Sequence, residues 1–141
     1  MKRKRKRLVV ALSLLTLVVC SCPLFVLAYT WGHVLRSDLK GGRHGPLDAY
    51  RHALASAVVS YTLDEWAVDC VNFLMESRGK ETNMMDIHNN RIGALIGARA
   101  ESFSDIEPTV RSYAMNGTVN STSGEQLTWL PENNWHDRRL W

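Results

Sequence analysis

Two short polar clusters hold the side chains best equipped for chemistry. Asp48-Ala49-Tyr50-Arg51-His52 and Asp86-Ile87-His88-Asn89-Asn90-Arg91 concentrate carboxylates, imidazoles and amides beside Ala- and Gly-rich stretches. Asp48 and His52 stand four residues apart, so a helix would place them on one face. A carboxylate there orients an imidazole and raises its proton affinity, as acid–base and metal-ligating pairs require. Arg51 is turned about 100° from His52 and calls for a different partner. In the second cluster Asp86 shares a face with Asn89 or Asn90, whereas His88 points roughly 200° away from Asp86. Glu81 lies just upstream, within reach of either cluster from a loop.

Asp48, Arg51, His52, Asp86, His88, Asn89 and Asn90 are therefore the candidate site residues, and three kinds of chemistry compete for them. A hydrolase would use His52, oriented by Asp48, as the base for water, with Asn89 or Asn90 holding a developing oxyanion. A metal site would recruit His52, His88 and a carboxylate from Asp48, Glu81 or Asp86. No spacing matches His-Glu-x-x-His, so the identity of any metal or cofactor stays unknown. In the structural alternative Asp48 and Asp86 cap helices, while Arg51, His52 and the two Asn tie helices together by buried hydrogen bonds. No Ser sits in a Gly-x-Ser-x-Gly setting, and no glycine-rich phosphate loop follows a strand.

The elements that must position these groups read as helices. Pro46 fits a first helical turn, and small and apolar residues then run from Leu47 to about Tyr61. Thr62 is a candidate cap for a second helix with Asp64 and Glu65 in its first turn. Its expected apolar side comprises Trp66, Ala67, Cys70, Val71, Phe73 and Leu74, which makes Cys70 a buried thiol, and its expected end is Arg78-Gly79. A third helix opens over Asn83 to Asp86 and runs to about Phe103. Ser104 or Asp105 caps a fourth, ending near Asn116-Gly117. Leu127 to Pro131 reads as a short extended piece before an aromatic-rich end containing Trp135 and Trp141. Ala49, Ala53 and Ala57 recur every four residues, as do Gly93 and Gly97, so the first and third helices are expected to dock closely. The polar clusters meet only if that docking brings the two helix starts together.

The N-terminus addresses the chain. Lys2 to Arg7 are six consecutive basic residues, and no further charge appears until Arg36. Leu8 to Trp31, dominated by Leu, Val, Ala and Phe, spans roughly 36 Å as a helix, against about 30 Å for a bilayer core. The basic run marks the cytoplasmic side, leaving the remainder outside. Cleavage after Val26-Leu27-Ala28, with Pro23 ending the apolar helix, is the alternative; Val19-Cys20-Ser21-Cys22 loosely resembles a lipoprotein site. The whole chain carries 17 Lys+Arg and 14 Asp+Glu; without the six basic residues of 2–7 the balance is 11 against 14, a net of −3. No basic stripe remains for a nucleic-acid partner. Cys70 is the one cysteine beyond the apolar segment, so no internal disulfide or Cys-based zinc site is available there.

Gly45-Pro-Leu-Asp48-Ala-Tyr-Arg51-His52-Ala followed by Met85-Asp86-Ile-His88-Asn89-Asn90-Arg-Ile-Gly93 resembles an uncharacterised bacterial exported-protein family. That family is recognised by Asp-Ala-x-Arg-His-Ala and Met-Asp-x-His-Asn-Asn-x-x-Gly blocks. The resemblance covers roughly Gly45 to Ala98 and implies a small exported protein or a domain of a larger secreted chain, with no activity established for the family as a whole. It places Asp48, Arg51, His52, Asp86, His88, Asn89 and Asn90 at motif positions. Some relatives carry a His-Glu pair between the blocks, where this chain has only Glu81.

The expectation is thus a mainly α protein: residues 1–32 as basic start and membrane anchor or signal, 33–45 as linker, and 46–141 as a helical extracytoplasmic domain. The domain reads as a small bundle of about four helices with an irregular tail. Its expected place is the cell inner membrane, single-pass, with the domain outside the cytoplasm, or the periplasm after cleavage. Its expected partners are the membrane, through the N-terminal segment, and an envelope protein. A non-catalytic accessory or interaction role is favoured, with an envelope hydrolase built on Asp48 and His52 as the alternative.

Overall fold

A helix rich in Ala, Val and Leu around its whole circumference has no natural solvent face and belongs in the middle of a fold. Residues Pro46–Leu63 form such a helix, α2, with Leu47, Ala49, Tyr50, Ala53, Leu54, Ala57 and Val58 all buried. The computed structural model describes residues 2–76 and 81–136, with the side chains at 2–4, 8, 15, 17–20, 71, 74–76, 81 and 82 outside that description. The other helices surround α2: α1 (Lys2–Arg36), α3 (Glu65–Glu76), α4 (Glu81–Arg99) and α5 (Ile106–Met115). Two short parallel strands, β1 (Thr118–Val119) and β2 (Thr128–Trp129), close the base of α2 and α4. The protein is mainly helical, as the periodicity implies.

The small-residue docking of α2 and α4 is present, and it sets the topology. A Cβ on Gly93 would press on the carbonyl of Ala53, 2.7 Å from its Cα, and one on Gly97 would lie 2.9 Å from the carbonyl carbon of Ala57. Residue numbers rise together along the contact, so the two helices are parallel. The intervening α3 carries the chain back, and the polar starts of α2 and α4 therefore lie side by side.

The α2–α3 junction departs from the sequence reading. Thr62 caps nothing: its hydroxyl folds back onto the carbonyl of Val58 within α2 at 2.8 Å. Asp64, held at φ 111°, breaks the chain direction, and its carboxylate accepts the N–H of Glu65 at 2.6 Å. This shift rotates α3 so that Val68 and Asn72 are buried while Trp66 and Phe73 are 62% and 73% exposed. Cys70 is exposed too, not buried as expected. The side chains of Val71 and Leu74, and the expected stop at Arg78-Gly79, lie outside the described residues.

Nor does Pro23 end the N-terminal helix. α1 continues through it to Arg36 because Val26, Thr30 and Val34, spaced four apart, lie buried on the domain and hold that half in register. The loss of one N–H donor at proline is tolerated there. Trp31 stacks under Arg51 near the start of α2, while Phe25 and Tyr29 meet Phe103, which also meets Tyr61 near the end of α2. α1 and α2 thus run antiparallel. Among the described residues no helix is long and apolar enough to cross a membrane. The segment read as an anchor includes side chains, at 8, 15 and 17–20, that lie outside the described residues.

The stretch 33–45, read as a linker, is built into the body. Residues 33–36 extend α1, and Val34, Ser37, Gly41, Gly42 and Gly45 are buried. Gly41 has φ 71°, and a Cβ there would fall 2.7 Å from Gly45 Cα, so two glycines in contact allow the tight fold-back beneath Trp135. Backbone N–H groups of Leu47 and Asp48 bond to the carbonyls of Lys40 and Gly41, sealing the loop onto the first turn of α2.

Candidate functional site

Parallel docking of α2 and α4 brings Asp48, His52 and Asp86 together. His52 Nε2 lies 3.5 Å from Asp48 Oδ1 and 3.6 Å from Asp86 Oδ1. The three ligand-type atoms fall within 4.8 Å of one another. Asp48 is almost wholly buried, whereas the His52 and Asp86 side chains keep 22% and 17% of their surface. The site is therefore a shallow polar notch with its floor at Asp48.

Asp48 is the best-supported group in it. Oδ2 accepts the backbone N–H of His44 at 2.6 Å, and Oδ1 accepts the Arg51 guanidinium. That guanidinium also donates to the carbonyl of Gly42 at 3.2 Å and sits 5.5 Å above the Trp31 ring. Arg51, expected to need a different partner, instead shares Asp48 with His52: the carboxylate lies three residues back on the same helix, and the long guanidinium stem spans the angular offset. Its work is to clamp α1 and the 40–45 loop onto α2 while neutralising one carboxylate.

Asp86 is the less comfortable acid. Its Oδ1 is buried and accepts no hydrogen bond among the described residues. Burial pushes its carboxyl above the usual carboxylate range, and nearby Asp48 adds to this, while His52 acts in the opposite direction. His44 Nδ1 is likewise buried without a hydrogen-bond partner among the described residues, 4.0 Å from Asp48 Oδ2. The ring of His136 lies 6.2 Å from that of His44. Neither histidine was singled out from the sequence: one looked like linker and the other like tail. The signal for His44 was its place four residues before Asp48.

The remaining motif residues face elsewhere. Asn89, fully buried, donates Nδ2 to the carbonyl of Thr128 at 2.8 Å and accepts the Thr128 N–H at 2.9 Å, so it pairs with β2 as a neighbouring strand would. Asn90 accepts from Ser56 Oγ at 3.0 Å and donates to Asn72 Oδ1 at 2.9 Å, joining α2, α3 and α4. His88 Nε2 lies 2.9 Å from the carbonyl of Gln126, away from Asp86 as its angular position implies. Their amides are already engaged, so the oxyanion role expected of Asn89 or Asn90 and the ligand role expected of His88 do not fit this arrangement. Tyr50, inside the first motif, is also a tie: its hydroxyl donates to Glu107 on α5 at 2.7 Å. Burial, followed by that bond, pushes its phenol well above the usual range. Glu81's side chain lies outside the described residues.

The motif residues therefore belong to two constructions, one closed and one open to solvent. Compared with protein-family models, curated proteins and solved structures, the chain matches none.

Proposed function

We propose that this is a membrane-anchored helical protein of the cell envelope, its domain held outside the cytoplasm by α1 and acting as an accessory or interaction factor. The observation that carries the reading is the division of α1. Its stretch from Val26 to Val34 lies on the domain, whereas Val9, Val10, Leu12 and Leu14 are each more than half exposed. A helix that presents apolar residues to water beyond its docked segment, behind six basic residues, is suited to lipid on that length. Exposed Leu24, Phe25 and Leu27 continue the apolar surface to where the domain begins, and Tyr61 and Leu63 stand at the neighbouring end of α2. In this orientation the Asp48–His52–Asp86 notch lies near Trp31, toward the end of α1 remote from its exposed apolar half.

A reporter fused after residue 45 tests the topology. An export-dependent reporter should be active and the fusion should stay with membranes after alkaline washing. Activity of a cytoplasm-only reporter refutes the placement, and release by the wash refutes the anchor.

A second reading, an envelope hydrolase, is favoured by one observation: His52 Nε2 stands between two carboxylates at a solvent-accessible position. His52 is then the base, flanked by the Asp48 and Asp86 carboxylates at ion-pair distance. The test is a panel of chromogenic ester, phosphodiester and amide substrates. Turnover lost in His52→Ala with melting unchanged supports catalysis; the absence of turnover across the panel leaves the accessory role.

A further inference from the structure

We propose that Asp48, His52 and Asp86 form a binding site for one divalent transition-metal ion of the zinc type, with its remaining positions open to solvent. This goes beyond both functional readings and does not depend on where the chain resides.

The separations decide the chemistry. At 3.5 and 3.6 Å, His52 Nε2 is too far from either carboxylate oxygen for a hydrogen bond, which for N–H···O lies near 2.7–3.2 Å. Ligand atoms around a tetrahedral zinc, each about 2.1 Å from the metal, stand about 3.4 Å from one another. The two His52 distances match such an edge, and the whole triad stays within 4.8 Å. One imidazole and two carboxylates form a borderline-to-hard N/O set of the kind zinc, manganese or iron(II) accepts. Three protein ligands leave a place for water, and the exposed side of His52 and Asp86 is where that place opens.

The surroundings fit a cation. Among the described residues, two carboxylates beside the Arg51 guanidinium leave a net charge of −1 to meet a dication. Asp86 Oδ1 is a buried acceptor without a hydrogen bond among the described residues, a state that costs stability unless something coordinates it. The Asp48 floor is fixed from outside the triad by the His44 N–H and Arg51, as the carboxylates of metal sites usually are.

The experiment is a Co2+ titration of the full chain in detergent after chelator treatment, read by visible absorption, followed by displacement with Zn2+. One equivalent should bind, with bands of a four- or five-coordinate N/O site, and Zn2+ should abolish them. His52→Ala and Asp86→Asn should each weaken binding on the order of 100-fold or more, while His88→Ala should remain within about 3-fold. Imidazole NMR of the wild-type chain supplies a readout that needs no variant: Zn2+ should shift His52 and leave His88 in place. Failure of the wild type to take up either ion, or binding that all three variants retain, overturns the proposal. A His52 resonance that Zn2+ leaves unmoved overturns it as well.

Discussion

The first turns of α4 hold two regions only a few residues apart that treat polar groups in opposite ways. Around Asn89 and Asn90 the Oδ1 and Nδ2 of both side chains are engaged by Thr128, Ser56 and Asn72 in a buried setting, with only Asn72 Nδ2 at the edge of the network left without a hydrogen bond among the described residues. One turn earlier, Asp86 keeps a buried oxygen without a hydrogen bond and sits near a second acid. The first region holds the fold together, and the second is maintained against the fold's own preference. Neutral amides can be satisfied pairwise inside a protein, whereas two converging carboxylates cannot both be comfortable without a cation. Dense polar motifs can therefore mix scaffold with site, and only the partners of each atom separate the two.

The sharpest way to break this division is to separate the helices that create it. Gly93→Ala places a methyl against the backbone of Ala53. The helix-propensity gain of about 1 kcal/mol is outweighed by an overpacking cost of about 3 kcal/mol or more. Urea unfolding should show the loss, and the notch should lose its ion affinity with it. Asn89→Ala comes next. It leaves the buried N–H and carbonyl of Thr128 unpaired, and chemical denaturation should report a loss of about 3 kcal/mol. Retention of wild-type stability would remove Asn89 from the scaffold.

Asn90→Ala should cost about 2 kcal/mol, since Ser56 and Asn72 lose their common partner while their side chains can turn toward each other. The smallest effect has the opposite sign. Burial raises the Asp86 carboxyl, so the folded chain holds that proton more tightly than the unfolded chain does. Stability therefore falls as pH rises from the ordinary carboxylate range through the raised value, and is regained below it. In chelator at neutral pH, Asp86→Asn should melt at or slightly above the wild type, and the gap should close as pH falls toward 4. A large destabilisation at neutral pH would move Asp86 into the scaffold and erase the contrast.

Much of this was legible in the residues. The α2 and α4 stretches follow from apolar periodicity, and their docking follows from Ala and Gly at four-residue spacing. The placement of Asp48 and His52 on one face follows from the same helical geometry, as does the turn of His88 away from Asp86. The face of α3 departs from the expected one because Asp64, not Thr62, sets where that helix begins, and a shift of that size rotates its faces past one another. The 33–45 stretch looked flexible because its glycines resemble those of any linker; only their contact beneath Trp135 makes them structural.

The sequence by itself determined helical content, the two polar motifs and a basic, apolar N-terminus, because each is a local property of residue type and spacing. Tertiary structure decided that α2 and α4 run parallel, so that Asp86 joins Asp48 and His52. It also decided that Asn89 and Asn90 are occupied by β2, α2 and α3, since a hydrogen-bond partner up to 39 residues away leaves no mark on local spacing.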